Sequence, residues 1–333
     1  MWTFLIFAYS IFVFDSLSCG LARGAMCYAA SAAQLQDAEQ SAASNEKRDA
    51  SIERAKEFIH KGLWQDAELT LREYLSQHSD SADGHFLLGY VLFKEQNPEA
   101  SLAEYTEGAK YHDPDPSDLK IVALNYVLLN DYSDADHWLT LSVEGNPKDS
   151  ESWYYLGRTK YNRSRLPEAI RAFEECLRLD PNDVKAKANL GLALQGLGRI
   201  DEALEAYRSA IAMEKHGAQR NAEPFIDLGN LLLEQNQIDD AIANLSEARE
   251  ISPSDPRVHE SLGKAYLRID KFSEAQAELE KAASLAPNSA PVHYMLGQVY
   301  RKRGLNEKAK AEFDRAAILN EPKSPPATPT SQP

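Results

Sequence analysis

WYYLGRTKYNRSRLPEAIRAFEECLRLDP, residues 153–181, is the stretch on which the fold turns. Leu156-Gly157 is followed twelve residues later by Ala169, four further on by Phe173, and then by Pro181. This spacing matches the pattern W-x2-L-G…A-x3-F…P of a 34-residue helix-turn-helix unit.

Steps of 34 residues repeat it. Leu190-Gly191 precedes Ala203, Tyr207 and Ala210. After a four-residue insertion near Gly217 to Arg220 come Leu228-Gly229, Ala241, Leu245, Ala248 and Pro253. Leu262-Gly263 leads to Tyr266, Ala275, Leu279, Ala282 and Pro287, and Leu296-Gly297 to Tyr300, Ala309, Phe313 and Ala316. Backwards along the chain, Val122-Ala123, Tyr126, Ala135, Leu139 and Pro147 make one unit. Leu88-Gly89, Leu92, Ser101 and Tyr105 make another, whose second helix reads one residue early. Ala55, Phe58, Gly62, Ala67 and Leu71 make the weakest, with Arg54 where a leucine is expected. The units begin near residues 48, 82, 116, 150, 184, 222, 256 and 290.

Each unit reads as two helices. The glycine at the eighth place and the alanine at the twentieth are expected to face each other, small enough for close approach of the two backbones. Large residues at the fourth, seventh, eleventh and twenty-fourth places fill the seam at helical spacing. The late proline cannot continue the second helix and sets the turn into the next unit. One unit cannot bury its own apolar faces, so the units must stack.

This pattern resembles the tetratricopeptide-repeat (TPR) family over roughly residues 48–321. The resemblance implies an all-α, right-handed superhelical solenoid of about eight helix-turn-helix units, whose first helices line a concave groove. At the groove places stand Phe86, Tyr90 and Phe93, then Lys120, then Tyr154, Tyr155, Arg158, Tyr161 and Asn162, then Lys185, Asn189 and Gln195. Aromatics and arginines are the usual hot spots of an interface, and asparagine can clamp a peptide backbone. Phe86, Tyr90, Lys120, Tyr154, Arg158, Lys185 and Asn189 are therefore the candidate ligand-binding residues, and the expected partner is a protein or peptide. Arg257, Lys264, Arg268, Arg301 and Lys302 form a basic patch suited to an acidic peptide. Chaperone-binding members of the family grip a terminal carboxylate with lysines, asparagines and an arginine. Here Lys120 and Lys185 fit that pattern, but Leu124, Tyr155 and Asn189 occupy the other places, and Glu223 and Asp227 stand where cations would be needed. The family pattern is broken at Lys160, where an aromatic is usual, at Arg54, and by the insertion. No polar capping helix follows the last unit, so the face carrying Leu305 and Leu319 is a place for end-to-end self-association.

The chain carries 36 Lys and Arg against 51 Asp and Glu, a net charge of −15, which repels phosphate backbones and argues against nucleic acid. No phosphate-binding glycine loop, nucleophile elbow or HExxH is present. His85, His259 and His293 share the fourth place of their units, too far apart to share one metal, and read as packing residues. Residues His112 to Asp118 are acidic but lack the glycine and distal glutamate of a calcium loop, and read as a turn with Asp115 or Ser117 as a cap. Cys176 reads as core. Repeats occupy residues 48–321, so no enzyme and no cofactor is expected.

Trp2 to Phe14 form an apolar run too short to span a bilayer, and small residues follow it. Residues 1–25 read as a signal peptide and 26–47 as an Ala/Ser/Gln-rich linker, with an exported protein, periplasmic or secreted, as the consequence. A true start at Met26 would instead make it cytoplasmic. Beyond an export signal no membrane association is expected. The proline-rich residues 322–333 read as a disordered tail.

Overall fold

The structure, a computed structural model, describes residues 50–214 and 220–321. The signal and linker readings, the proline-rich tail and most of the insertion lie outside the described residues. Every regular element among them is an α-helix. Contacts divide the chain after Asp113 into two compact units.

The first holds α1 (50–60), α2 (Trp64–Gln77), α3 (Ala82–Lys94) and α4 (Pro98–Gly108). The second holds α5 (Pro116–Leu128), α6 (Tyr132–Gly145), α7 (Ser150–Asn162), α8 (Leu166–Leu179), α9 (Val184–Gly196) and α10 (Ile200–Glu214). It continues with α11 (Glu223–Glu234), α12 (Ile238–Ile251), α13 (Pro256–Arg268), α14 (Phe272–Leu285), α15 (Ala290–Lys302) and α16 (Asn306–Asn320). Odd-numbered helices are first helices and pair with the even-numbered one that follows, giving about eight consecutive helix hairpins.

The same places recur because the same backbone problems recur. Ser81, Asp115, Asp149, Asp183 and Asp255 each accept from the first-turn N–H groups of the helix they precede. Asp115 makes a full capping box with Asp118. At the turn inside each hairpin one residue takes positive φ: Gly62, Gln96, Asn130, Ser164, Gly198, Asn236, Asp270 and Gly304. The N–H of the next residue returns to a carbonyl five positions back, as in Leu63 to Phe58 and Arg165 to Lys160, both at 2.9 Å. This is the Schellman closure, which satisfies the orphan carbonyls of the first helix.

The close approach within each hairpin also involves the twenty-fourth place. A Cβ on Gly157 would meet the Phe173 ring at 2.6 Å, one on Gly191 the Tyr207 ring at 2.6 Å, and one on Gly263 Leu279 at 2.5 Å. The glycine thus makes room for the large side chain at the twenty-fourth place, and at Gly89 the twentieth-place Ser101 also stands against it, its carbonyl 3.3 Å from where a Cβ would lie. Ser101 stands twelve residues after Gly89, as Ala169 does after Gly157, so the second helix of that unit is in register and not early. Its hydroxyl donates to Gly89 O at 2.7 Å. Gly62 is the left-handed turn residue of its unit, not a helix-packing glycine.

In the second unit the core runs continuously from Ala169 to Ala265, each hairpin sealing the next. Hairpins are also fastened through side chains. His259 Nε2 meets Pro253 O at 2.9 Å, and His293 Nε2 meets Pro287 O at 3.0 Å. A carbonyl only accepts, so these nitrogens donate. Trp153 Nε1 does the same to Pro147 O at 3.0 Å. The other ring nitrogen lies against a carboxylate of the second helix, Glu278 for His259 and Glu312 for His293, both at 2.6 Å. In the first unit His85 repeats this with Ser79 O and Glu104. The histidines read as packing residues are buried, and each also clasps the turn between hairpins.

Candidate binding groove

Successive first helices of the second unit touch: α7 meets α9, α9 meets α11, α11 meets α13, and α13 meets α15. The groove places are therefore neighbours across a row of parallel helices. Side chains already bridge part of that row. Gln195 Nε2 donates to Glu234 Oε2 at 3.1 Å, joining α9 to α11. Ser261 Oγ donates to Asn230 Oδ1 at 2.7 Å, joining α13 to α11. Arg257 closes on Glu223 with bonds of 2.8 and 2.9 Å and also holds Asp255. Those hydrogen bonds drive the Arg257 guanidinium further into its charged form.

Lys120 belongs to the same kind of bridge. Its ammonium donates to Asp149 at 3.0 Å and Glu151 at 2.6 Å, and only 14% of the side chain is exposed. Burial opposes its charge, but the two carboxylates prevail and raise its pKa. In this state Lys120 ties α5 to α7.

Tyr154 and Tyr155, both half-buried, meet edge-on with ring centres 5.4 Å apart. Burial pushes both phenols up. Arg158 is exposed, and its guanidinium lies 5.9 Å from the Tyr154 ring centre, at cation–π range. On the adjacent α9, Lys185 is exposed, and Asn189 Nδ2 donates to Lys185 O at 2.8 Å, which leaves its carbonyl oxygen to an incoming N–H. The structure thus places Tyr154, Arg158, Lys185 and Asn189 on two touching helices. Phe86 and Tyr90 lie in the first unit. Phe86 is buried and stacks on Tyr105 at 5.7 Å. Tyr90 meets Trp64 edge-on at 6.4 Å and carries Lys94 over its face.

Of the expected basic patch, Arg257 is engaged by Glu223, Arg268 donates to Leu233 O, and Arg301 lies over Phe313. Lys264 and Lys302 are exposed. On the last helix Lys310 stands at the place where Ile170, Leu204 and Ile242 stand on interior second helices, which makes the terminal face more polar there. Leu305 is 38% exposed.

Burial and the neighbouring Asp183 push the Cys176 thiol up to about 12, so it is no thiolate nucleophile at neutral pH. Among the described residues no group of three His, Cys, Asp or Glu is placed to hold a metal ion. Among them too, no helix is long and apolar enough to cross a membrane.

The sequence matches the tetratricopeptide-repeat family over residues 52–118, 123–184, 154–219, 229–270 and 266–322. A peroxisomal targeting signal receptor of Kluyveromyces lactis is 37% identical over 57 residues, 17% of this chain and only 10% of the receptor. The chain therefore spans a small part of that relative. A tetratricopeptide-repeat protein from Parabacteroides merdae superposes with a TM-score of 0.60 at 18% identity, over 76% of this chain and 98% of that one. A chain of the APC/C hetero-tetramer Cut9-Hcn1 gives 0.58 at 18% identity, over 81% of this chain and 52% of that one. At these identities the solved structures speak for the fold. With the repeat spacing, the hairpin geometry and the family matches in agreement, the chain belongs to the tetratricopeptide-repeat family.

Proposed function

We propose that the protein is a binding scaffold that holds a peptide or an extended protein segment along its first helices, in the assembly of a larger complex. One observation supports this most. On α7 and α9 the groove side chains Tyr154, Arg158, Lys185 and Asn189 make no bond from one first helix to the next, whereas α11 and α13 are stitched together. Exposed Arg158 and Lys185 beside the Asn189 carboxamide and a Tyr154 ring that is half-buried against Phe173 suit a hot spot for an extended ligand. A second reading, a substrate-recruiting or regulatory subunit of an enzyme encoded elsewhere, uses the same groove and differs in whether a catalytic protein co-purifies.

The test is crosslinked capture of partners by the natively expressed chain and by its Tyr154→Ala/Arg158→Ala/Asn189→Ala variant. Loss of the captured protein with unchanged helicity and melting supports the groove. Unchanged capture removes it, and loss of folding would make these residues structural. Export remains part of the proposal, resting on the apolar run Trp2 to Phe14. N-terminal sequencing of the mature protein decides it: a start near residue 25 or 33 in an exported fraction supports export, and a start at Met26 or Cys27 in cytosol refutes it.

A further inference from the structure

α9 and α11 carry opposite charge. α9 holds Lys185 and Lys187 and no acidic residue, while α11 holds Glu223, Asp227 and Glu234 and no basic one. Two of the three acids are answered within the fold, Glu223 by Arg257 and Glu234 by Gln195. Asp227 is different. Its Oδ2 is closed off from solvent and has no hydrogen-bond partner. The Tyr207 hydroxyl, from α10, gives its proton to Gln195 Oε1 at 3.0 Å and not to Asp227. The charged and titratable groups facing Asp227 are Glu223 one turn earlier on α11, Tyr207 of α10 and Arg257 of α13. Burial, reinforced by Glu223 and opposed by Arg257, pushes the Asp227 carboxyl up to about 7. Buried carboxylates are nearly always hydrogen-bonded, and one left without a donor is costly. The residue keeps part of its surface open at a groove place, beside the helix that bears Lys185 and Asn189.

We infer that Asp227 accepts a lysine or arginine side chain of the bound segment, so that the groove selects a peptide with a basic residue at one fixed position. This rests on the groove reading given above. An apolar ligand side chain would leave the carboxyl unanswered. An acidic one would add a like charge beside Asp227 and Glu223. A cation meeting the part of the residue that stays open makes a charge-assisted bond, the stronger kind, and offsets the charge whose Oδ2 is closed off and undonated. The same segment crosses α9, where Lys185 and Arg158 of the neighbouring α7 suit an acidic residue, so the selected sequence has both signs in a set order. A cation drawn to Asp227 favours its ionised form, so binding releases a proton near neutral pH and tightens as pH rises from 6 to 8.

The experiment pans a phage-displayed library of random twelve-residue peptides against the full chain at pH 8, with Asp227→Asn and the Tyr154/Arg158/Asn189 triple variant in parallel. The expected result is a family of peptides sharing one Lys or Arg. The synthetic winner should bind about tenfold more weakly when that residue is replaced by norleucine, and about tenfold more weakly to Asp227→Asn. Its affinity for the unaltered chain should fall from pH 8 to pH 6, and its affinity for Asp227→Asn should stay flat. Circular dichroism of Asp227→Asn and of a second variant, Asp227→Ser, controls for folding. Winners that bind the unaltered chain, fail on the triple variant, and share no basic residue or ignore Asp227→Asn would overturn this inference and leave the groove standing. No enrichment, or winners indifferent to the triple variant, would overturn both.

Discussion

Gln96, Asn130, Ser164, Asn236 and Asp270 turn left-handed without being glycine. A left-handed conformation costs an ordinary side chain roughly 1–2 kcal/mol, and glycine removes that cost while losing more entropy on folding. Gln96→Gly and Ser164→Gly should each stabilise the fold by about 0.5–1 kcal/mol in urea titrations. Gly198→Ala, at φ +74°, should cost about 1 kcal/mol although nothing lies within 4 Å of the new methyl. A loss at Ser164→Gly would mean that its side chain contributes more than the strain it imposes. Asp227 sets a second residue-scale expectation. Its folded pKa lies above the ordinary 3.8, so the native state binds the extra proton and stability falls as pH rises from about 4 to about 7. Asp227→Asn should therefore leave the melting temperature near that of the unaltered chain at pH 4 and raise it at pH 8. A difference that does not change with pH would show an unperturbed carboxyl. None of this was legible from one sequence. The left-handed place accepts Gly, Gln, Asn, Ser or Asp, so no residue type marks it. The isolation of Asp227 is created by neighbours on α10 and α13 that carry no sequence signature.

At the scale of elements, Lys160 shows how a break in the pattern is repaired by a second one. Its ammonium meets Asp136 at 2.5 Å, and Asp136 also receives Arg163 and Arg165. Asp136 sits on α6 at the place where α8 has Ile170 and α10 has Leu204, so an apolar contact between hairpins has been exchanged for an ionic one. Asp136 is only 4% exposed, and removing one side of a buried ion pair leaves an unanswered charge. Asp136→Leu should destabilise by roughly 3 kcal/mol, and adding Lys160→Tyr should recover most of that loss. Additive losses in that double-mutant cycle would show that Lys160 and Asp136 are not coupled. The departure at Lys160 was visible in the sequence, but its partner 24 residues earlier is found only by asking what lies across the hairpin boundary. The pairs that could be read are those one repeat apart with opposite charge, of which Glu223 and Arg257 are the clear case. The histidine clasp was half legible. His85, His259 and His293 recur at one place, each with a glutamate nineteen residues on, yet the backbone carbonyl each one holds leaves no trace in a side-chain pattern.

For the whole molecule, hairpin order and helix phase followed from the 34-residue period because stacking repeats one solution many times. Which groove side chains stay free did not follow. Place numbers put Lys120 and Arg257 among ligand contacts as readily as Arg158, and only the bonds between helices separate them. The same nearest-neighbour logic makes a prediction about the array itself. Deleting residues 256–289 joins Asp255 to Ala290, so Asp255 becomes the cap of α15. His293 then finds Pro253 O where it had Pro287 O, each six residues before it in its own chain. Arg249, which pairs with Glu278 at 2.6 Å, meets Glu312 at the equivalent place. Against α12, Val258, Leu262 and Ala265 are replaced by Val292, Leu296 and Val299, which adds volume at one position only. The Arg257–Glu223 and Ser261–Asn230 bridges have no replacement, since Pro291 and Met295 stand at those places, and Lys302 takes the place of Arg268 beside Leu233 O. The shortened chain should fold, with ellipticity lower in proportion to the helices removed and a single, lower melting transition. Deleting α14 alone removes the same kind of helix but puts one first helix directly before another. No interface in the array has that geometry, so this variant should expose apolar surface and aggregate. If the full-unit deletion unfolds while the half-unit deletion does not, hairpins are not the unit of stability, and stacking of equivalent neighbours is the wrong account of this fold.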